Sequence, residues 1–222
     1  MMRKLPFVFL FIFLFSCERE VENPQIDLGL DYFPLLIGNF WVYEVSERTY
    51  FGENDFEDSQ YFLKDRIRSL FVNDAGEQVF IVQRERSLDQ INWQIEVDYT
   101  LVNRDNNLVM NLNNQPIVIL AFPPKEGLTW NGNLYRGAEQ DEFELIQESS
   151  GPSAEQIRVL QENEDDLITF RDIRYDVFQK EVGLTERYSE VFTYCSRNDC
   201  LGELLIDSGR FLNMKLITYG NE

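Results

Sequence analysis

Histidine is absent from this chain of 222 residues. That excludes a Ser-His-Asp or Cys-His nucleophile system and any His-ligated zinc or copper centre. Cysteine is scarce, at positions 17, 195 and 200 alone, too few soft ligands for a structural zinc site. The sequence contains no P-loop, no GxGxxG and no GxSxG. Positive charge is the minority, with 20 Lys and Arg against 39 Asp and Glu. A net charge of −19 repels nucleic acid and anionic lipid head groups, and serves solubility.

What is present begins with a leader. Arg3 and Lys4 precede an apolar run from Leu5 to Phe15, interrupted by Pro6. That is the charged and apolar arrangement of an export signal over residues 1–16, too short for a spanning helix. It ends in Leu14, Phe15, Ser16 and Cys17, which resembles the lipobox of bacterial lipoproteins. The resemblance implies diacylglycerol on the Cys17 thiol and a third acyl chain on its amine. At about 0.8 kcal/mol per buried methylene, two or more chains anchor a protein stably. No later segment approaches spanning length, so attachment to the membrane is expected through lipid alone. Residues 17–29 turn polar and acidic, with Glu18, Glu20, Glu22 and Pro24, and read as a flexible tether.

An exported chain meets an oxidising compartment, where Cys195 and Cys200 are expected to form a disulfide. The four intervening residues suit a stapled loop tip, whereas a CxxC redox motif has two.

Residues 30–222 read as a single β-rich domain, because apolar residues recur with period two. Trp41, Tyr43 and Val45 share one face. Tyr61, Leu63, Ile67 and Phe71 share a parity, broken by Asp65. Val79 and Ile81 alternate with Phe80 and Val82, after the turn residues 73–76. Trp93, Ile95, Val97, Tyr99 and Leu101 form the cleanest alternation, expected to place Trp93 inward. Short strands are expected at Leu108–Leu112, Pro116–Phe122, around Trp130, at Leu134–Gly137 and at Glu142–Gln147. Later ones are expected at Arg174–Glu181, Thr185–Tyr194, Leu204–Ile206 and Phe211–Tyr219. Ser153 to Gln156 could cap a helix through Leu160, although Ile157 and Val159 fit a strand, with Glu162 to Asp166 as its turn. The surrounding pattern favours strand. The expected fold is all-β: an antiparallel sheet forming a barrel or sandwich, a calycin-like meander included, with few or no helices.

Asp31, Tyr32, Phe33, Pro34 and Leu35, followed by Gly38, Asn39, Trp41 and Tyr43, resemble the opening of uncharacterised lipoproteins of Bacteroidota. Val177 to Leu184, Ser208 to Arg210 and Lys215 to Gly220 resemble later segments of the same group. The resemblance implies an antiparallel β domain on the outer membrane, facing periplasm or cell surface, and carries over no activity. The acidic residues after Cys17 also resemble signals that send such proteins to the surface. Pro34, Gly38, Trp41 and Tyr43 have framework reasons as well: a fixed φ, a turn and the start of a buried strand.

Without histidine, acid–base catalysis would fall to paired carboxylates, as in glycosidases. The sequence nominates no such pair, and no catalytic residue. Calcium could use oxygen ligands at residues 53–58, 103–107 or 162–166, but none has EF-hand spacing. Solvated loops are the plainer reading, so no metal and no cofactor is expected. Of the three tryptophans, Trp130 lies between a Pro/Gly loop and Asn131-Gly132-Asn133 and is the candidate ligand-facing aromatic, with core packing as the plainer role. Three roles follow. A non-catalytic module binding a glycan or envelope protein needs an open mouth or an aromatic-lined sheet. A glycan hydrolase needs a cleft with two carboxylates, one of raised pKa. A purely structural envelope protein needs no pocket.

Overall fold

The computed structural model describes residues 27–148 and 155–222. The leader, Cys17 and residues 18–26 of the tether lie outside these, as do Ser153 and Ala154. The described chain is all-β: a short 3-10 turn (Leu30–Tyr32) precedes twelve strands. They are β1 (Asn39–Gly52), β2 (Asp55–Val72), β3 (Gln78–Ser87), β4 (Gln94–Arg104), β5 (Asn107–Leu112) and β6 (Gln115–Ala121). The second half comprises β7 (Thr129–Asn131), β8 (Glu142–Glu148), β9 (Gln156–Asp165), β10 (Phe170–Gln179), β11 (Gly183–Tyr194) and β12 (Ile206–Asn221).

All join one antiparallel sheet in the order β6-β5-β4-β3-β2-β1-β12-β11-β10-β9-β8-β7. Each half is an up-and-down meander, and the halves meet where β1 pairs with β12. The two edge strands come together again: the Val118 N–H donates to the Gly132 carbonyl at 2.9 Å. The Trp130 indole N–H donates to the Val118 carbonyl at 3.0 Å. The sheet is thereby a nearly closed barrel, which removes most of the exposed edge. Turns alternate between the ends. Residues 73–77, 105–106, 122–128 and 180–182 lie at the end where the N-terminal segment arrives, and residues 53–54, 88–93, 113–114, 166–169 and 195–205 at the remote end.

The inward parity holds along most strands. Trp41, Tyr43, Val45, Leu63, Ile67, Leu101, Phe143 and Phe178 belong to one buried cluster. A second, smaller cluster of Val79, Val102, Val109 and Val118 lies on the opposite sheet face, packed against Trp130 and Tyr135. β3, β5, β6 and the end of β4 are thus apolar on both faces, which weakens the period-two signal there.

Bulges account for the positions where strict alternation misleads. In β2 the pairing steps from Ile67 to Ser69 against consecutive Val82 and Ile81, leaving Arg68 extra. The face flips, and Phe71 is 47% exposed. In β4 the pairing steps from Val97 to Ile95 against consecutive Arg84 and Glu85. Ile95 is turned outward and 66% exposed. Trp93 precedes β4 and is half-buried outside the core, with its indole donating to the Gln90 carbonyl at 3.1 Å.

Three further expectations are corrected. Residues 134–137 are turns rather than a strand. Glu162 to Asp165 belong to β9, and the turn follows them: the Asp166 carboxylate accepts from the backbone N–H groups of Ile168, Thr169 and Phe170 at 2.8, 2.7 and 3.0 Å. The two last strand candidates are one continuous β12 through Gly209, whose φ is +138°. A Cβ there would meet the Val191 carbonyl oxygen at 2.2 Å and the Phe192 Cα at 2.7 Å. Gly209→Ala should therefore lower stability by about 2–4 kcal/mol, seen as a reduced urea midpoint with an unchanged m value. An unshifted midpoint would contradict this close approach.

Candidate functional site: a sealed interior and an outer groove

The residue that breaks the apolar parity of β2 faces inward. Asp65 is 3% exposed, and its partner across the ladder on β3 is Arg84. The guanidinium of Arg84 donates to both Asp65 oxygens, at 2.7 and 2.6 Å. The Tyr99 hydroxyl donates to the same carboxylate at 3.0 Å. A matching pair occupies the other half. Asp176 on β10 is 1% exposed, and Arg187, opposite it on β11, reaches both its oxygens at 2.8 and 2.6 Å. The pairs hold equivalent places on either side of the β1–β12 junction.

A charge inside a barrel is tolerated when its counter-charge and hydrogen bonds come with it. Burial opposes the charge on Arg84 and on Arg187, but the facing Asp65 and Asp176 outweigh it and hold both pKa values above the ordinary one. Burial, and then the Asp65 charge, raise the pKa of Tyr43 and of Tyr99. Tyr43 donates to the Leu184 carbonyl at 3.1 Å. The space left between these groups is a cavity of about 20 Å³, lined among others by Phe33, Trp41 and Arg187. That is room for a single water and no larger ligand.

The arriving N-terminal segment closes the near end. The Phe33 ring lies 5.3 Å from Trp41 and 6.3 Å from Phe178. The Trp41 indole donates to the Val182 carbonyl at 2.6 Å, and the Glu181 N–H to the Asp31 carbonyl at 2.8 Å. Lys180 lies within 3.7 Å of carboxylate oxygens on Asp27, Asp31 and Glu155. The Tyr32-Phe33-Pro34 stretch singled out in the sequence is thus the plug and Trp41 its seat.

The outer face offers more room. A groove of about 640 Å³ crosses β12, β1 and β2 in the half remote from the arriving segment. Phe211, Tyr50, Arg48, Asp58, Gln60 and Ser46 line it. Arg48 and Asp58 are cross-strand partners joined at 2.5 and 2.7 Å. The Arg48 guanidinium lies 4.1 Å from the centre of the Phe56 ring. Tyr50 meets Phe192 edge-on at 5.3 Å, across the strand position that Gly209 leaves without a side chain. Phe211 meets Tyr188 edge-on at 5.8 Å, and Tyr188 stacks on Tyr175 at 5.0 Å. Sequence reading missed this face. The alternation names which residues point outward, but not that their strands are adjacent.

Two further depressions are smaller. One of about 410 Å³ lies at the 88–93 turn, lined by Arg86, Leu88, Asp89 and Asn92. One of about 250 Å³ is lined by Glu142, Glu144, Glu162 and Glu164. Among the described residues no group of three or more potential ligands converges to hold a metal ion. Cys195 and Cys200 are joined as a disulfide with Cα atoms 5.9 Å apart, at the tip between β11 and β12. Trp130 is half-buried at the barrel seam, between the two apolar clusters, with its ring 6.1 Å from that of Phe143.

No family profile matches this chain, and no curated protein matches it. Two solved structures are similar to it. One is a candidate exported protein with a YmcC-like fold from Bacteroides fragilis, 8% identical over 85% of this chain and 98% of that one, with a TM-score of 0.42. The other is a candidate lipoprotein from Parabacteroides distasonis, also 8% identical with the same coverage, with a TM-score of 0.39.

Two outcomes test the interior. Asp176→Asn leaves Arg187 without its counter-charge and should cost about 3–5 kcal/mol, while Asp176→Leu combined with Arg187→Met should cost less. Urea denaturation of both variants checks this, and a double variant worse than the single would sink it. The tyrosines set an alkaline limit. The folded state holds the Tyr99 proton more tightly than the unfolded chain, where a phenol ionises near pH 10. That stabilisation is complete below about pH 10 and is lost as the pH rises above it. Spectrophotometric titration of the protein and of Tyr99→Phe should show Tyr99 ionising only as the fold opens.

Proposed function

We propose that this chain is an outer-membrane lipoprotein, anchored through acyl chains on Cys17, whose barrel is a non-catalytic binding module facing away from the bilayer. The observation that carries the reading is the contrast between the cavity of about 20 Å³ beside the buried Asp65–Arg84 pair and an outer groove of about 640 Å³. The groove mixes aromatic and polar side chains and has the size of a ligand site. The leader and the lipobox-like Leu14 to Cys17 supply the anchoring argument. The described chain enters at Asp27, so the plugged end is the one nearest the proposed anchor and the groove lies in the half beyond it.

The non-catalytic part rests on the carboxylates. A hydrolase acid keeps its proton near neutral pH through a raised pKa. Among the described residues, each carboxylate whose pKa is displaced is displaced downward. The Arg48 hydrogen bond lowers Asp58, and the hydrogen bonds of Arg104 and Asn73 lower Glu77 to about 2. Asp65 and Asp176 are each held by both arms of an arginine. Their geometry is that of framework ion pairs.

One experiment reads both halves of the proposal. A photo-crosslinking amino acid in place of Glu44, exposed on the same face of β1 beside the groove, is introduced in cells, with Cys17 intact or as Cys17→Ala. The intact protein should incorporate a fatty-acid probe, fractionate with the outer membrane and form ultraviolet-dependent adducts. Cys17→Ala should lose the label and leave the membrane fraction. Persistent labelling overturns the anchor, and absence of any adduct overturns the binding role.

A further inference from the structure

We infer that the groove across β12, β1 and β2, with the aromatic run beside it, takes a neutral oligosaccharide. This deepens the proposed binding role and rests on it. A sugar chain presents hydroxyls that both donate and accept, and apolar C–H patches on the faces of its rings. The groove supplies the complement to each. The Gln60 carboxamide and the Ser46 hydroxyl donate and accept, Arg48 donates and Asp58 accepts. Phe211 and Tyr50 offer ring surface in the same depression.

The charge balance selects the class. Arg48 and Asp58 cancel one another at 2.5 Å. Glu47, behind them, is engaged by Arg210 at 2.8 Å and by the Tyr61 hydroxyl at 2.8 Å. On the neighbouring strands Glu190 is paired with Arg171 at 2.5 Å. The charges at the groove itself, Arg48 with Asp58 and Glu47 with Arg210, therefore sum to zero, and the −19 of the whole chain opposes an acidic polymer. An apolar ligand is disfavoured as well, because it would strip water from the Arg48–Asp58 pair and give nothing back.

Preorganisation supports a binding role over a merely solvated face. Arg48 is fixed by two hydrogen bonds and by the Phe56 ring, and Tyr50 is fixed by Phe192. Little rotamer freedom remains to be lost on association. Length follows from the run of rings. Phe211, Tyr188 and Tyr175 continue from the groove over β12, β11 and β10, and Arg158 lies 4.2 Å from the Tyr175 ring on β9. From β2 to β10 is four strand spacings, about 19 Å. A ligand that uses the whole run is an extended chain crossing the strands, longer than a monosaccharide.

The test uses the full lipidated protein in a non-glycosidic detergent. Saturation-transfer NMR and calorimetry are run against α- and β-linked gluco-, manno- and galacto-hexaoses, their monosaccharides, and an oligogalacturonate. At least one neutral hexaose should bind, tenfold or more tightly than its monosaccharide and than the oligogalacturonate. Phe211→Ala and Gln60→Ala should each weaken it tenfold or more, while Tyr219→Ala, exposed at the other end, leaves it unchanged. Gln60→Ala decides the matter if Phe211→Ala lowers the thermal midpoint. Binding of no neutral hexaose, a preference for the acidic chain, or affinity untouched by Gln60→Ala overturns the inference. Adducts at position 44 in cells alongside such a result would leave the binding role standing and reject the ligand class alone.

Discussion

Two carboxylates inside a barrel dictate how the rest of this molecule is arranged. Each of Asp65 and Asp176 sits where an apolar side chain would otherwise complete the interior, and each is matched by an arginine directly across the ladder. Side chains alternate faces with period two, so slipping β3 by one residue against β2 would send Arg84 outside and strand Asp65 in the core. The same holds for β10 and β11. An uncompensated buried charge is far costlier than a lost apolar contact. Register is therefore specified on both halves of the sheet by ion pairs as well as by packing.

The small cavity left between the buried groups shifts the question of function to the outer surface. Phe33 and its neighbours close one end, and the paired ions with Tyr43 and Tyr99 fill the middle. What the barrel exposes is the outer face of its longest strands. There a residue without a side chain, Gly209, lets Phe192 and Tyr50 meet across β12. Aromatic rings that would be core residues at inward positions become a surface run held in place by one another. The groove arises where this run meets the Arg48–Asp58 pair.

The same physics explains the distribution of acidic residues. Arginine satisfies a carboxylate with two hydrogen bonds at once, and this chain uses it repeatedly: at Asp65, Asp176, Asp58 and Glu77. Other acids are spent on turns, as at Asp89 and Asp166, where backbone N–H groups converge on one carboxylate. In a chain with 39 acidic residues and no histidine, the acids accounted for in this way are structural, consistent with a proposed role in binding rather than turnover.

Much of the fold was legible in the residues. Trp41, Tyr43 and Val45, Tyr61 and Leu63, and Tyr99 and Leu101 reveal inward faces, because a strand with one buried side must alternate. The turn residues between them announce an antiparallel meander. Composition excluded histidine-based chemistry, and the leader with Cys17 supplied the expectation of a lipid anchor. Alternation failed at Phe71 and Ile95, since an inserted residue flips the face and leaves no mark in composition. Asp65 looked like an interruption, and only the pairing of β2 with β3 makes it half of an ion pair. The groove was beyond local reading for the same reason: Ser46, Gln60 and Phe211 are distant in the chain and become neighbours only when β12 returns to pair with β1. Sequence by itself determined the strand class and the excluded chemistries, and raised the expectation of an export signal, each from local pattern or composition. Tertiary structure decided the closed interior, the plug and the outer groove, because each depends on which strands the long-range ladder brings together.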